Sequence, residues 1–87
     1  MSARVTLRLF AWVRERAGCG ERVIEVGEGE TLGLLLERLA GEEAVWAELM
    51  SEADRLRFAC NGEICADLGV VLADGDEVAI FPPVTGG

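Results

Sequence analysis

Asp74-Gly75-Asp76-Glu77-Val78-Ala79-Ile80-Phe81-Pro82-Pro83-Val84-Thr85-Gly86-Gly87 is the stretch on which the rest of the chain is read. Asp74-Gly75-Asp76 has the composition of a tight turn, because glycine and aspartate tolerate the backbone angles that turns require. Glu77 to Phe81 then alternates, with Val78 and Ile80 on one side and Ala79 and Phe81 on the other, which is the period of a half-buried strand. Pro82 and Pro83 have no N–H to donate to a sheet ladder, so the strand stops at Phe81. Two consecutive prolines favour a stiff extended segment. The six residues from Pro82 to Gly87 reach at most about 20 Å when extended. The expected organisation is a single domain over residues 1–81 followed by a thin extended tail over 82–87.

Working back from that tail, Val5, Leu7 and Leu9 alternate with Arg4, Thr6, Arg8 and Phe10, so a second core strand lies near the N-terminus. Arg22 to Val26 reads as another short strand after the turn at Gly18 and Gly20. Thr31 is placed to cap a helix whose Leu32, Leu35, Leu36, Leu39 and Ala40 form one apolar stripe ending at Gly41. A second helix is expected over Glu42 to Ala53, with Val45, Trp46, Leu49, Met50 and Ala53 facing inward. Arg57 to Ala66 forms a hairpin turned at Asn61-Gly62. Strands at both ends with two helices between them predict an α+β domain, one sheet covered by helices on one face. The same alternation turns Phe10, Ile64 and Phe81 toward the uncovered face, and a cluster of large apolar residues there marks a partner surface.

Composition removes several chemistries. The 87 residues contain no histidine, and all eight basic residues are arginine. Imidazole catalysis, imidazole metal ligation, a lysine Schiff base and a phosphate loop completed by lysine are therefore excluded. Ser2 and Ser51 are the only serines, and neither has a usual base to activate it. The chain is not expected to be an enzyme on its own. A net charge of −8 argues against nucleic acid as a partner. No apolar run reaches the length of a membrane span. The charge is nonetheless lopsided: residues 1–22 hold five arginines and two acids, while 23–87 hold three arginines and fourteen acids. This pattern fits docking to a partner of complementary charge, or solubility alone.

Two motifs lead nowhere. Cys60 and Cys65 are spaced like the start of a ferredoxin cluster motif, but position 68 is Leu68 and the chain has three cysteines where a cluster needs four. No metal site is expected. The Asn61-Gly62 turn pairs Cys60 with Glu63 and Phe58 with Cys65, which leaves the two thiols diagonal, about 7–8 Å apart at the backbone, too far for an unstrained disulfide. Free thiols and the absence of a signal-peptide pattern point to the cytoplasm. Gly27-Glu28-Gly29 resembles a dinucleotide turn, but Leu32 replaces the third glycine and Glu28 and Glu30 would repel a phosphate.

At the end of the chain the chemistry is that of a bare carboxylate. An α-carboxyl ionises near 3.3–3.7, so at neutral pH the Gly87 group is an anion and a poor electrophile that another enzyme must activate. A terminal glycine leaves the activated carbonyl unhindered. The fourteen residues from Asp74 to Gly87 resemble the C-terminus of the molybdopterin synthase small-subunit family, sulfur carriers with the ubiquitin-like β-grasp fold. Leu9-Phe10-Ala11-Trp12-Val13-Arg14-Glu15 is similar to the end of that family's first strand, and the Thr31-Leu32 helix start and the Asn61-Gly62 turn also fit.

The resemblance implies a function and partners. An adenylating enzyme would use ATP to activate Gly87, no cofactor being held by the chain itself, and a sulfur donor would convert the acyl-adenylate to a thiocarboxylate. Gly86 and Gly87, led by Pro82, Pro83, Val84 and Thr85, would then enter the large synthase subunit in a heterotetramer of two small and two large subunits. There the sulfur would pass to cyclic pyranopterin monophosphate, the precursor of molybdopterin. The family's apolar interface matches Phe10, Ile64 and Phe81. A carrier for thiazole synthesis or tRNA thiolation, a ubiquitin-like modifier, and an inert binding module remain as alternatives. Trp12, the Ala17–Gly20 loop and Cys19 match no family feature.

Overall fold

Val5, Leu7 and Leu9 are almost wholly buried, and the residues between them are not, so the first strand presents one face to a core and the other to solvent. In a computed structural model describing residues 3–65 and 67–83, this strand, β1, spans Ala3–Leu9. It is followed by helix α1 (Ala11–Ala17), strand β2 (Glu21–Val26), helices α2 (Leu32–Glu42) and α3 (Ala44–Ser51), and a 3-10 turn at Ala53–Arg55. Strands β3 (Arg57–Cys60), β4 (Glu63–Ile64) and β5 (Glu77–Phe81) complete the chain. The sheet order is β2-β1-β5-β3-β4. β1 and β5 are parallel, while β1–β2, β3–β5 and β3–β4 are antiparallel. A parallel pair cannot be joined by a tight turn, so the helices of the intervening chain form the crossover and lie against one face. This is the β-grasp α+β arrangement.

The core lies between that face and the helices. Leu32, Leu35, Leu36 and Leu39 of α2, Trp46 and Leu49 of α3, and Val13 of α1 pack with Val5, Leu7, Leu9, Val78 and Ile80. Trp46 is among the largest fully buried side chains. Val45 and Met50 pack at the edge of the same cluster.

Among the described residues there are three helices where the sequence predicts two. Ala11 to Ala17 carries no helical signal in the sequence because its seven residues have only one fully buried side chain, Val13, and too few turns to show a period. Its end is marked by Gly18, whose φ of 78° lets its N–H reach back to the Arg14 carbonyl at 3.0 Å. Phe10 is correspondingly the N-cap of α1 and not the last residue of β1. Helix α2 runs one residue past Gly41, and α3 is shorter than Glu42 to Ala53 because Glu43 sits extended between the two helices, with φ −136° and ψ 126°. Thr31 caps α2 as expected, its Oγ1 accepting from Leu34 N at 3.2 Å. The next two N–H groups of that helix are satisfied from elsewhere: Leu32 N donates to Val70 O and Gly33 N to Leu68 O, at 3.0 and 2.9 Å. A Cβ at Gly33 would lie 3.3 Å from both the Leu68 carbonyl and its side chain, so this strap passes closest where the helix has no side chain.

The charge asymmetry of the sequence is largely consumed inside the fold. Arg4 pairs with Glu25, Arg8 with Glu77, Arg16 with Glu52 and Arg22 with Glu43, so four of the five N-terminal arginines meet acids from the rest of the chain. Glu30, read from the sequence as hostile to phosphate, accepts from Gly27 N at 2.8 Å and from Arg38 Nε at 3.0 Å. Burial pushes its carboxyl up, but the hydrogen bonds from Arg38 and Gly27 and the Arg38 charge outweigh that and hold it below its ordinary value. The two-pronged hydrogen bond from Arg22 holds the Glu43 carboxyl down as well.

Both carboxylates bind protons less readily folded than unfolded. Their contribution is thus present above the unfolded carboxylate value of about 4.3 and is lost as pH falls through the lower folded values. The urea midpoint should stay level from neutral pH to about 5 and drop on further acidification. Glu43→Gln should lower the neutral-pH midpoint and make the acid-side decline shallower, which a series of urea titrations against pH will show.

Candidate functional site

The face of the sheet opposite the helices is assembled by strand register. Ala59 of β3 lies between Ile64 of β4 and Ala79 of β5, and Ala79 lies beside Arg8 of β1. One step along, Phe81 of β5 is paired with Arg57 of β3. Phe10 follows β1 directly, and its N–H donates to Ile80 O at 3.2 Å, which brings Phe10 alongside Phe81. Phe10 and Ile64 are 43% and 65% exposed, and Phe81 is half-buried. Ile64 stands two strand spacings from β5, about 10 Å. The two alanines fill that gap as a low floor. Ala59 is buried although no helix covers it, because longer neighbours on its own face shield its single methyl group. The result is a shallow apolar saddle with Phe10 and Phe81 at one end and Ile64 at the other. Arg8, Arg57 and Glu77 border it, with Arg8 paired to Glu77 at 3.5 Å.

Alternation alone had turned the three large residues outward. It also placed Ala59 with Ile64 and Ala79 with Phe81, but the role of the alanines as a floor depends on which strands are neighbours.

The tail leaves from the edge of this saddle. In the β1–β5 ladder the rung after Phe10 N to Ile80 O would need an N–H at position 82, and Pro82 has none. The Phe10 carbonyl that would have accepted it turns instead into α1 and receives Val13 N and Arg14 N, at 3.1 and 3.4 Å. Both strands therefore end at the same level. Pro82 is half-buried and Pro83 exposed. Val84, Thr85, Gly86 and Gly87 lie outside the described residues.

The reversal from β1 into α1 is achieved at Ala11, whose φ is 53°. A side chain in this left-handed region costs roughly 1–2 kcal/mol, and the only other non-glycine residue there among those described is Asn61 of the hairpin turn. Asn61 is a residue that tolerates the conformation, and its amide is engaged: Nδ2 donates to Asp76 Oδ1 and Oδ1 accepts from Glu77 N. That locks the hairpin carrying Ile64 to the turn before β5. Ala11 has no such compensation of its own, so the sharp turn behind Phe10 is held by the packing of Val13 and by the two bonds to the Phe10 carbonyl.

The thiols offer no competing chemistry. Cys65 N donates to Phe58 O at 2.8 Å and Cys60 is paired with Glu63, the register expected from the turn, and all three cysteines are free. Burial, together with the negative charge of Asp76, pushes the Cys60 thiol up, which keeps it protonated and a weak nucleophile.

The family model described as the ThiS family matches residues 7–87. This chain belongs to the ThiS family. Small archaeal modifier protein 1 of Haloferax volcanii is 38% identical over 85 residues, covering 92% of this chain and 97% of its own. The crystal structure of that protein superposes with a TM-score of 0.79 at 34% identity, covering 98% of this chain and all of the other. The molybdopterin synthase sulfur carrier subunit of Mycobacterium tuberculosis is 36% identical over 87 residues, covering 97% and 98% of the two chains. A structure of the complex of subunits 1 and 2 of molybdopterin-converting factor from Helicobacter pylori matches with a TM-score of 0.68 at 25% identity, over 97% of this chain and 99% of that one. The ThiS-family likeness thus spans the saddle, the turn at Ala11 and the tail alike. Among the described residues no helix is long and apolar enough to cross a membrane.

Strain at Ala11 is open to test. Ala11→Gly should leave stability unchanged or raise it by up to about 1 kcal/mol, because relief of the left-handed penalty exceeds the added freedom of the unfolded chain. Ala11→Val should lower it by more than about 1 kcal/mol, since a branched side chain fits that region least well. Thermal unfolding of the three proteins measures both.

Proposed function

We propose that this chain is the sulfur-carrier small subunit of a molybdopterin synthase. One observation carries the reading: a family member whose relatives include named sulfur carriers has an apolar saddle directly beside the point where its tail departs. In this reading residues 1–81 are a body that addresses the partner, and 82–87 are the part that delivers. The Gly87 carboxylate attacks the α-phosphate of ATP in an activating enzyme, pyrophosphate leaves, and the acyl-adenylate has AMP as a good leaving group. Sulfide-level sulfur released by the donor then adds to the carbonyl and AMP departs, which leaves the thiocarboxylate. Pro82, Pro83, Val84 and Thr85 line the entry into the large subunit, where the sulfur passes to cyclic pyranopterin monophosphate. The chain contributes the reacting end-group and no catalytic side chain, consistent with the absence of histidine and lysine. It binds no cofactor of its own, and the assembly is a heterotetramer of two small and two large subunits in the cytoplasm.

Phe10, Phe81 and Ile64 are the contact residues for the large subunit. The Helicobacter pylori neighbour, a complex of two subunits, supports a partner of this kind. An apolar saddle with a thin charged border buries well against a matching surface while Arg8, Glu77 and Arg57 fix the register. The modifier reading is favoured by a different observation, the 38% identity to small archaeal modifier protein 1. In that case the activated Gly87 carbonyl is attacked by a lysine amine of another protein, and an isopeptide bond forms.

Intact mass measurement of the chain purified from its cells separates these readings. A carrier shows a fraction heavier by the replacement of one oxygen with sulfur, and it co-purifies with a large synthase subunit. A modifier appears joined to lysines of other proteins. Absence of the sulfur-bearing species under conditions of active cofactor synthesis overturns the carrier reading.

Deletion of Gly87 should abolish sulfur transfer with no change in melting temperature, because the buried core lies between Val5 and Ile80. Phe81→Asp should weaken binding of the large subunit by placing a charge in an apolar contact, at a cost that reaches several kcal/mol where Arg57, its cross-strand neighbour, does not pair with it. Titration calorimetry showing unaltered affinity would remove Phe81 from the interface.

A further inference from the structure

Trp12, which no family feature claims, lies near the point where the tail leaves. It packs half-buried against the edge of the core from α1. The Arg16 guanidinium lies 5.0 Å from the indole centroid and that of Arg55, from the 3-10 turn, lies 5.9 Å away. Both arginines are held by one carboxylate. Arg16 Nη1 meets Glu52 Oε2, and Arg55 Nη1 meets Glu52 Oε1 at 3.0 Å. Glu52 thus ties α1 to the 3-10 turn and keeps two cations on the aromatic ring, an attraction that favours a fixed indole. Arginine suits the task because its planar group can stack and pair at once.

The indole and the start of the tail share the walls of one cleft. Trp12, Asp54, Arg55, Pro82 and Pro83 surround one open cleft of about 560 Å³. Neither proline has an N–H, so no backbone hydrogen bond donated by this segment can orient it, and the sheet ladder has already ended at Phe81. Its direction must be set by the surfaces it passes.

We propose that Trp12, braced by Arg16, Arg55 and Glu52, is a positioning residue that sets the direction in which the chain leaves the body at Pro82-Pro83. This rests on the carrier reading, in which a stiff proline segment transmits a small angular error at its base to the reacting end. Misplacement of a reacting group by about 1 Å can cost as much as a hundredfold in rate. Binding through the saddle is a separate matter, so loss of the indole should reduce transfer and spare affinity.

The test has two arms. By proton NMR of the full chain, Trp12 ring protons should show Overhauser contacts to the ring protons of Pro82 or Pro83. The proline Hδ resonances should be displaced upfield, and this displacement should vanish in Trp12→Ala and persist in Trp12→Phe. This arm needs no sulfur chemistry. In the second arm the thiocarboxylate is installed chemically and the protein is mixed with saturating large subunit. Single-turnover sulfur transfer should fall about tenfold in Trp12→Ala and return to within about twofold of wild type in Trp12→Phe, with the dissociation constant for the large subunit unchanged. Glu52→Ala, which removes the carboxylate that holds both arginines and leaves the indole in place, should give an intermediate rate if Trp12→Ala proves too unstable to assay. Absence of the Overhauser contacts in the wild type, or equal transfer rates in all variants, overturns the proposal. If the wild type transfers no sulfur while the contacts are present, the carrier reading fails and the positioning of the tail base by Trp12 stands.

Discussion

The last rung between β1 and β5, from Phe10 N to Ile80 O, is the constraint on which the outer face and the tail both depend. Parallel pairing places the C-terminal ends of the two strands side by side, so Phe10, which follows β1, and Phe81, which ends β5, become neighbours although about seventy positions separate them. Pro82 closes the ladder by lacking a donor, and the unused Phe10 carbonyl becomes the start of α1. One missing N–H thus ends the sheet, begins a helix and releases the chain.

Electrostatics serves the fold more than the docking. A basic N-terminal segment and an acidic remainder fit docking to a partner of complementary charge, or solubility alone. In three dimensions Arg4, Arg8, Arg16 and Arg22 are distributed over two faces and meet Glu25, Glu77, Glu52 and Glu43. Exposed pairs of this kind contribute little each to stability, because water and salt screen them. Their greater consequence is specificity of arrangement. Arg22 joins the edge strand to the junction of α2 and α3, and Glu52 joins α1 to the 3-10 turn by holding two arginines at once.

Strand positions were readable because a strand with one face buried must alternate, as β1 and β5 do, and because Asn61-Gly62, Gly75 and Pro82 mark unambiguous turns and ends. Helix α2 was readable from its leucine stripe and its threonine cap. Helix α1 was not, because seven residues with one buried valine leave no period to detect, and its first residue adopts a left-handed φ that no local pattern announces. The strap that satisfies the start of α2 was also invisible, since hydrogen bonds from Leu32 and Gly33 to Val70 and Leu68 join segments some thirty-five positions apart.

The amino-acid sequence by itself determined which side chains are apolar, which face of each strand they occupy, where the ladder must end and what end-group is available, because these follow from side-chain chemistry, a period of two and the missing donor of proline. Tertiary structure decided adjacency. That Phe10 meets Phe81, that Ala59 and Ala79 form a floor before Ile64, and that Trp12 stands with Arg55 beside the prolines depend on strand order and on the packing of α1 against the 3-10 turn. Those arrangements arise from long-range burial of the whole core, which no window of neighbouring residues contains.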